Sequence, residues 1–168
     1  MPHALSTYVL RMLREGPAPL ADLTVPVLVW DDGPPPPNEE LIFATHAGGV
    51  PRNPSPGEPL VFELRKLEGK INPFAMGVTV GRNDNNDVVL EHPSISRFHA
   101  YFQYESRNRR WRLVDAESRN GTWCGALKLQ PSVAEPVADQ SRLKFGDLKL
   151  TFMEPDAFRA YLRRMSAT

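Results

Sequence analysis

Short runs of β-branched and aromatic residues recur through the second part of the chain, and they constrain its fold more than any other feature. Clusters of Gly, Asn, Asp and Pro separate these runs at intervals of about eight to twelve residues. That rhythm is typical of a two-sheet sandwich. We therefore predict an all-β fold. The predicted strands are residues 60–64, 78–80, 87–90, 99–104, 111–114, 142–145 and 149–153.

Proline and charge divide the chain near residue 57. Twelve of the 17 prolines lie in residues 1–59, and residues 1–57 carry six acidic side chains against three basic ones. The remaining residues carry 17 basic and 14 acidic side chains, so the formal net charge of zero cancels −3 against +3. Residues 54–57, Pro-Ser-Pro-Gly, have the composition of a turn and linker. We therefore expect a proline-rich acidic N-terminal extension (1–57), a β domain (58–154) and a C-terminal helix (155–168).

Three elements are predicted outside the central strands. Apolar residues recur at helical spacing in residues 4–14 and again after residue 155, so we expect an amphipathic helix in each segment. The C-terminal helix should pack on the sandwich or on a neighbour through Phe158, Tyr161, Leu162 and Met165. Residues 25–30 read as one strand, and Pro26 predicts an edge position because proline has no N–H for a neighbouring strand. Residues 25–30 and 41–43 are too apolar for a fully exposed arm, so we expect the extension to pack in part.

Composition argues against several classes of protein. The longest apolar stretches are too short to span a bilayer, and the first residues lack the basic and apolar regions of a signal peptide. A single cysteine, Cys124, excludes an internal disulfide and a multi-cysteine zinc site. A net charge of zero argues against a surface built for nucleic acid. We therefore expect a cytoplasmic protein without a cofactor or metal, and without a membrane or nucleic-acid partner.

Three polar loops adjoin predicted strands. They span residues 81–87, 94–99 and 117–122 and contain arginines, hydroxyl side chains and an asparagine. In a sandwich the strands form the scaffold, and loops at one end form the site. Ser96 and His99 are a nucleophile–base pair by residue type, but the sequence context of a hydrolase is missing. The loops therefore favour a binding site over a catalytic one.

Five short motifs in the second part of the chain resemble the forkhead-associated (FHA) domain, in order and spacing, across about residues 58–154. They are Gly81-Arg82, Asn86-Asp87-Val88-Val89-Leu90, Ser96-Arg97-Phe98-His99-Ala100, Asn120-Gly121-Thr122-Trp123 and Gly146-Asp147. The chain is similar to small stand-alone FHA proteins of the bacterial type. The resemblance implies an FHA-type β-sandwich that binds phosphothreonine peptides and is not an enzyme.

The resemblance also implies which side chains bind the phosphate. Arg82 and Ser96 are expected to be the principal contacts, with Arg97 beside them. A phosphothreonine carries about two negative charges and three acceptor oxygens, and the planar guanidinium of an arginine can donate to two of those oxygens. Arg119 either adds a cation next to the phosphate or faces water.

Other residues are expected to bind the peptide or to support the loops. By the same resemblance, Asn120 hydrogen-bonds the main chain of the ligand beyond the phosphothreonine. His99 braces the loops, and Gly81 and Gly121 allow their turns.

Two features depart from the family pattern. Where many members repeat Asn-Gly, this chain has Cys124-Gly125, which keeps the glycine of a tight turn, so a hairpin is still expected. Residues 131–140 are long and polar for a hairpin loop.

We therefore predict an adaptor in Ser/Thr kinase signalling that docks a phosphothreonine-containing partner, either a kinase or its substrate. The alternative is an FHA-fold scaffold that makes phosphate-independent contacts through the N-terminal extension or the C-terminal helix. Thr7, Thr24 and Thr45 also leave open an intramolecular contact, in which a phosphorylated acidic extension docks on its own mildly basic domain.

Overall fold

The computed structural model describes residues 2–16, 20–34, 56–69, 74 and 77–167. Within these ranges it contains two helices, α1 (Leu5–Glu15) and α2 (Pro155–Ser166). The strands are β1 (His3–Ala4), β2 (Val27–Trp30), β3 (Leu60–Glu63), β4 (Val78–Gly81), β5 (Val88–Val89), β6 (Ala100–Glu105), β7 (Arg110–Asp115), β8 (Thr122–Cys124), β9 (Leu127–Lys128), β10 (Glu135–Val137), β11 (Arg142–Phe145) and β12 (Leu148–Met153). Neither helix is long and apolar enough to cross a bilayer.

The strands form two sheets, and the predicted all-β sandwich with one helix near each end of the chain is confirmed. The larger sheet has seven strands in the order β1-β3-β2-β12-β11-β8-β9. The smaller sheet has five strands in the order β10-β7-β6-β4-β5. Each of the seven strands predicted after residue 57 is present, with bounds that agree to within one residue.

The main core lies between the two sheets. Alternate residues of a strand point to opposite faces, and the inward set of each sheet is apolar. Both sheets contribute fully buried side chains to this core. Leu28 and Phe152 come from the larger sheet, and Phe102 and Leu113 come from the smaller one. The rings of Phe102 and Phe152 stack at a centroid distance of 6.1 Å across this core.

A second core covers part of the outer face of the larger sheet. Helices α1 and α2 pack there against the outward residues of β2, β3 and β12, so both faces of β2 are buried. Phe158 and Leu162 of α2 are fully buried, whereas Met165 at the end of the predicted stripe is 46% exposed. The guanidinium of Arg159 donates to the carbonyls of Leu20 and Leu23, both at 2.8 Å. The C-terminal helix therefore folds back on its own sandwich, as expected.

The predicted edge position of residues 25–30 is wrong. Strand β2 lies inside the larger sheet, hydrogen-bonded to β3 on one side and to β12 on the other. Pro26 does not prevent this because the strand begins one residue later, at Val27. The Pro26 carbonyl still accepts a hydrogen bond from the Leu64 N–H at 2.9 Å. The expected packing of this apolar segment is confirmed, and residues 41–43 lie outside the described ranges.

The segment 131–140 is more ordered than a long polar loop. It contains β10, which adds an edge strand to the smaller sheet by pairing with β7. The hairpin expected at Cys124-Gly125 is confirmed, because Cys124 of β8 pairs with Leu127 of β9 across a two-residue turn. Gly125 has φ +58° in that turn, the left-handed conformation that glycine adopts readily.

Strand register brings the three polar loops to one end of the sandwich. Val80 pairs with Ala100, and Ala100 pairs with Asp115 on its other side. Since both pairs are antiparallel, the end of β4, the start of β6 and the end of β7 lie side by side. The loops that leave or enter these strands are the three that the sequence singled out.

Candidate functional site

Ser96 lies at the point where the three loops meet. The Arg82 N–H donates to the Ser96 carbonyl at 3.0 Å, and the Arg119 N–H donates to Ser96 Oγ at 3.0 Å. The Ser96 N–H in turn donates to Nδ1 of His99 at 3.0 Å. Because Oγ acts as the acceptor toward Arg119, the hydroxyl retains its proton for donation to a ligand. The main-chain N–H of Ser96 is already used, which leaves the N–H of Arg97 as the donor that this turn can offer.

Three exposed arginines lie on the loops that meet at this serine. Arg82 follows β4, Arg97 follows Ser96, and Arg119 lies in the loop before β8. Among the residues that the structure describes, none of the three guanidiniums is in an ion pair. Each can therefore donate to an incoming anion without first losing a carboxylate partner from the described part of the chain. Because the main chains of Arg82 and Arg119 are bound to Ser96 and Arg97 follows it, the three loops can supply cations to a multiply charged oxyanion at this serine.

His99 links two of the loops through both ring nitrogens. It is fully buried, its Nδ1 accepts from the Ser96 N–H, and its Nε2 lies 2.9 Å from the Gly121 carbonyl. These partners require the tautomer with the proton on Nε2. Burial lowers the pKa of the imidazole, and the Gly121 carbonyl and the Asp115 charge oppose that shift only in part. His99 contacts the main chain of Ser96 rather than its hydroxyl, so the two side chains do not form a nucleophile–base pair.

Gly81 allows the first loop to approach the second. A Cβ at this position would lie 2.2 Å from the Arg97 carbonyl oxygen and 2.6 Å from Nδ2 of Asn86. The close approach lets the Asn83 N–H donate to the same Arg97 carbonyl at 3.3 Å. The Asn86 amide also donates to that carbonyl, at 2.7 Å. The backbone position of Arg97, beside Ser96, is thus fixed from the loop that carries Arg82.

Gly121 allows the third loop to turn toward His99. Its φ of +92° lies in the left-handed half of conformational space, where side chains with a Cβ are strained. Its carbonyl accepts from His99 and also from the Gly146 N–H, the latter at 2.9 Å. The Asn-Gly and Gly-Asp motifs, distant in sequence, therefore meet at one carbonyl oxygen.

Asn120 is held by the neighbouring loop. Its Nδ2 donates to the Ser94 carbonyl at 2.9 Å, while the residue itself is exposed. The amide oxygen is in no hydrogen bond within the described part of the chain, and Nδ2 has a second N–H, so the side chain can both accept from and donate to a peptide main chain. Ser94 is itself bound on its other side, because its Oγ accepts from the Asp147 N–H at 2.9 Å.

Two buried carboxylates support the loops and were not predicted from the sequence. Asp87, whose side chain is fully buried, accepts from the N–H groups of Leu67 and Thr79, both at 2.9 Å, and from Nζ of Lys66 at 2.9 Å. Asp115 accepts from the Ser118 N–H at 3.1 Å and from the hydroxyl of Thr122 at 2.6 Å. The sequence predicts only that Asp87 begins a strand. Because the partners are 8 to 21 residues away from Asp87, no local pattern reveals them.

Comparison with known proteins identifies the domain. Residues 78–146 match the family model described as FHA domain. The FHA domain-containing protein PS1 of Arabidopsis thaliana is 33% identical over 69 residues, which are 41% of this chain and 5% of that protein. Nuclear inhibitor of protein phosphatase 1 of Homo sapiens is 36% identical over 67 residues, which are 39% of this chain and 19% of that protein. The chain thus matches a small part of each of these relatives.

Two solved structures of FHA domains are similar to this chain. The FHA domain of MEK1, in complex with a phosphothreonine peptide of HOP1, is 30% identical, with 47% of this chain and 80% of that chain covered and a TM-score of 0.41. The N-terminal FHA domain of S. cerevisiae Rad53p, in complex with a phosphothreonine peptide, is 19% identical, with 69% and 94% covered and a TM-score of 0.46. The family match and the sandwich that carries its motifs together place this chain in the FHA domain family, with residues 78–146 as the matching part.

Proposed function

We propose that this protein is an adaptor that binds a phosphothreonine peptide and performs no chemistry on it. One observation carries the proposal: three loops converge on Ser96 and present its hydroxyl beside arginines that have no ion-pair partner in the described ranges. A phosphate monoester supplies the acceptor oxygens and the charge that such an arrangement lacks. A neutral peptide supplies neither.

In the proposed complex the phosphate lies against the first two loops. Arg82 donates two hydrogen bonds from its planar fork, and Ser96 donates its hydroxyl proton. Arg97 adds a main-chain N–H, and Arg119 adds a second cation from the third loop. The backbone bonds that fix these residues to one another form before the ligand arrives, which limits the entropic cost of binding.

The peptide main chain lies along the third loop in this proposal. Asn120 is already oriented by the Ser94 carbonyl, and its remaining amide groups bind the backbone beyond the phosphothreonine. Such contacts depend on the path of the peptide main chain and not on its side chains. Gly81, His99 and Gly121 contribute by holding the loops at the observed separations.

The partner is a protein phosphorylated on threonine by a Ser/Thr kinase, or the kinase itself. Binding then depends on kinase activity, because removal of the phosphate removes the charge that the arginines contact.

We also keep the predicted division at residue 57 as a proposal about function. In this view residues 58–154 bind the ligand, while the preceding and following segments complete the sandwich and its helical layer.

A phosphate-independent scaffold is the second candidate, and one observation favours it. Leu10 and Leu13 of α1 are 53% and 66% exposed, so the helical layer presents apolar surface away from the loops. Of the threonines considered for an internal contact, Thr7 and Thr24 are exposed, and Thr45 lies outside the described ranges. Contact of a partner with α1 would not require a phosphate.

A peptide-library titration separates these functions. The full chain is titrated with a degenerate phosphothreonine library and, in parallel, with the unphosphorylated library, and binding is followed by fluorescence anisotropy. We expect measurable affinity for the phosphorylated library only. Equal binding of the two libraries would overturn the phosphate-dependent function and favour the scaffold.

A further inference from the structure

A row of lysines crosses the open half of the larger sheet, on the face opposite the main core. Lys128 of β9 pairs with Trp123 of β8, Trp123 pairs with Lys144 of β11, and Lys144 pairs with Lys149 of β12. Residues paired in register point to the same face of a sheet. We call these four residues the lysine row. Adjacent strands lie about 4.8 Å apart, so the row is about 14 Å long.

The outward direction of the row follows from burial. Thr122 is fully buried and Cys124 packs against the main core, so Trp123 between them points to the other face. Both neighbouring lysines lie over its ring, with Nζ of Lys144 at 4.3 Å and Nζ of Lys128 at 5.3 Å from the centroid. The helices cover the β3–β2 half of this same face, and the row occupies the half that they leave open.

The charges of the row are not balanced within the described part of the chain. None of its three ammonium groups is in an ion pair there. Like charges directly opposite each other on neighbouring strands are destabilising, and Lys144 and Lys149 are such a pair. An anionic ligand on this face would remove that repulsion. By contrast, Arg142, the next cation on β11, lies 3.7 Å from Asp31.

The row lies next to the loops of the candidate site. Lys144 and Lys149 are one residue pair from the β11–β12 turn, whose Gly146 N–H donates to the Gly121 carbonyl. At the other end of the row, a Cβ on Gly121 would lie 2.9 Å from Cε of Lys128. A peptide that leaves Asn120 therefore needs only a few residues to reach the row, since an extended chain advances about 3.4 Å per residue.

We propose that the lysine row is a second docking surface for an acidic segment of the same partner chain that carries the phosphothreonine. The link to a phosphothreonine rests on the proposed function, whereas the affinity of the row for acidic peptide does not. A peptide is favoured over nucleic acid because the row offers only three cations and the whole chain has a formal net charge of zero. A run of about four or five extended residues matches its length.

The test compares tailed phosphopeptides on the full-length protein. A phosphothreonine peptide that binds is extended, on either side and with several Gly-Ser spacer lengths, by a run of glutamates or by the same number of glutamines. We expect the glutamate tail to bind about tenfold more tightly than the glutamine tail, since three exposed ion pairs each add a modest amount. Equal affinity of the two tails in every spacer series would overturn the proposal.

Matched variants assign the effect to the row. Lys128→Gln/Lys144→Gln/Lys149→Gln should reduce the tail effect to about onefold and leave the affinity for the untailed phosphopeptide unchanged. The control variant replaces three exposed cations elsewhere, Arg107→Gln/Arg163→Gln/Arg164→Gln, and should keep the tenfold effect. Lys149→Glu alone leaves both contacts to the Trp123 ring in place and should also weaken the tail effect. Persistence of the effect in the row variant would overturn the proposal.

Two further arms separate this inference from the proposed function and from a nucleic-acid surface. An unphosphorylated glutamate peptide, measured at low ionic strength, should bind the wild type and not the row variant, whatever the phosphopeptide does. Failure of phosphate dependence with this result intact would contradict only the proposed function. Row-dependent binding of a single-stranded DNA oligonucleotide, without row-dependent binding of the glutamate peptide, would overturn the acidic-peptide assignment.

Discussion

Protonation of His99 should destabilise the folded protein, because the structure uses its ring in the neutral form. Nδ1 accepts a hydrogen bond from the Ser96 N–H, and Nε2 donates one to the Gly121 carbonyl. Protonation of Nδ1 therefore requires that the hydrogen bond from Ser96 be broken. The ring is fully buried, and burial lowers its pKa in the folded state. The unfolded chain has no such constraint and binds the proton near pH 6.5.

The sign and size of the effect follow from this difference. A lowered folded-state pKa means that the contribution of His99 to stability is complete above about pH 6.5 and is lost as the pH falls through the folded-state pKa. One proton changes the free energy of unfolding by at most about 1.4 kcal/mol per pH unit. Between about pH 7.5 and pH 5.5 we therefore expect a loss of up to about 1.4 kcal/mol from this residue.

Urea denaturation of the wild type, His99→Gln and His3→Gln measures this contribution. The loss on acidification should be present in the wild type and in the exposed-site control His3→Gln, and it should be smaller by up to about 1.4 kcal/mol in His99→Gln. No ligand is present, so titration of a phosphate does not contribute. An identical pH dependence in His99→Gln and in the wild type would refute the assigned tautomer and the role of the ring.

Two further predictions concern the groups that support the loops. Asp87→Ala leaves the buried Thr79 N–H and the Leu67 N–H without their acceptor and should lower the free energy of unfolding by about 2–4 kcal/mol in urea titration. Glu91→Ala, an exposed carboxylate nearby in sequence, should change it by less than about 0.5 kcal/mol; equal losses would contradict the assignment. Gly81→Ala places a Cβ 2.2 Å from the Arg97 carbonyl, so it should lower the melting temperature and weaken phosphopeptide binding. Unchanged binding in a folded Gly81→Ala variant would show that the close approach of the loops is not needed.

The strands of the sandwich were predictable because their signal is local. Alternation of apolar and polar residues and the turn residues between strands depend on neighbours in sequence, and residues 142–145 were predicted with their observed bounds. The short strands were harder. β1 and β9 have two residues each and β10 contains Pro136, so none carries a readable pattern. Their pairing with longer strands defines them.

The position of β2 shows a different limit. Proline within a strand predicts an edge position, but Pro26 lies one residue before the first paired residue of β2. The hydrophobic pattern of a sequence does not locate the end of a strand to within one residue. Burial on both faces of β2 depends on helices whose sequences lie at the two ends of the chain. The helices themselves were predictable from their periodicity, whereas the layer that they form together was not.

The candidate site was likewise only partly predictable from the sequence. The loops and their arginines were predictable because the motifs resemble a known family, but the bonds between the loops were not. Asn86 binds the Arg97 carbonyl and Asp115 binds the Thr122 hydroxyl, and the sequence predicted a partner for neither side chain. The assignment of the Ser96 N–H to His99 also required the structure, since the sequence does not reveal which group this donor binds.

The most direct test of the central claim is whether phosphate-dependent binding requires Arg82. The measurement is the ratio of affinities for a phosphothreonine peptide and its unphosphorylated form, in the wild type, in Arg82→Ala and in the control Arg107→Ala on the β6–β7 turn. Loss of a charge-assisted hydrogen bond costs about 1.5–3 kcal/mol, so Arg82→Ala should reduce the ratio roughly tenfold to a hundredfold. The control should keep the wild-type ratio, and both variants should remain folded. A ratio near one in the wild type, or the same ratio in Arg82→Ala, would contradict a phosphothreonine-binding function.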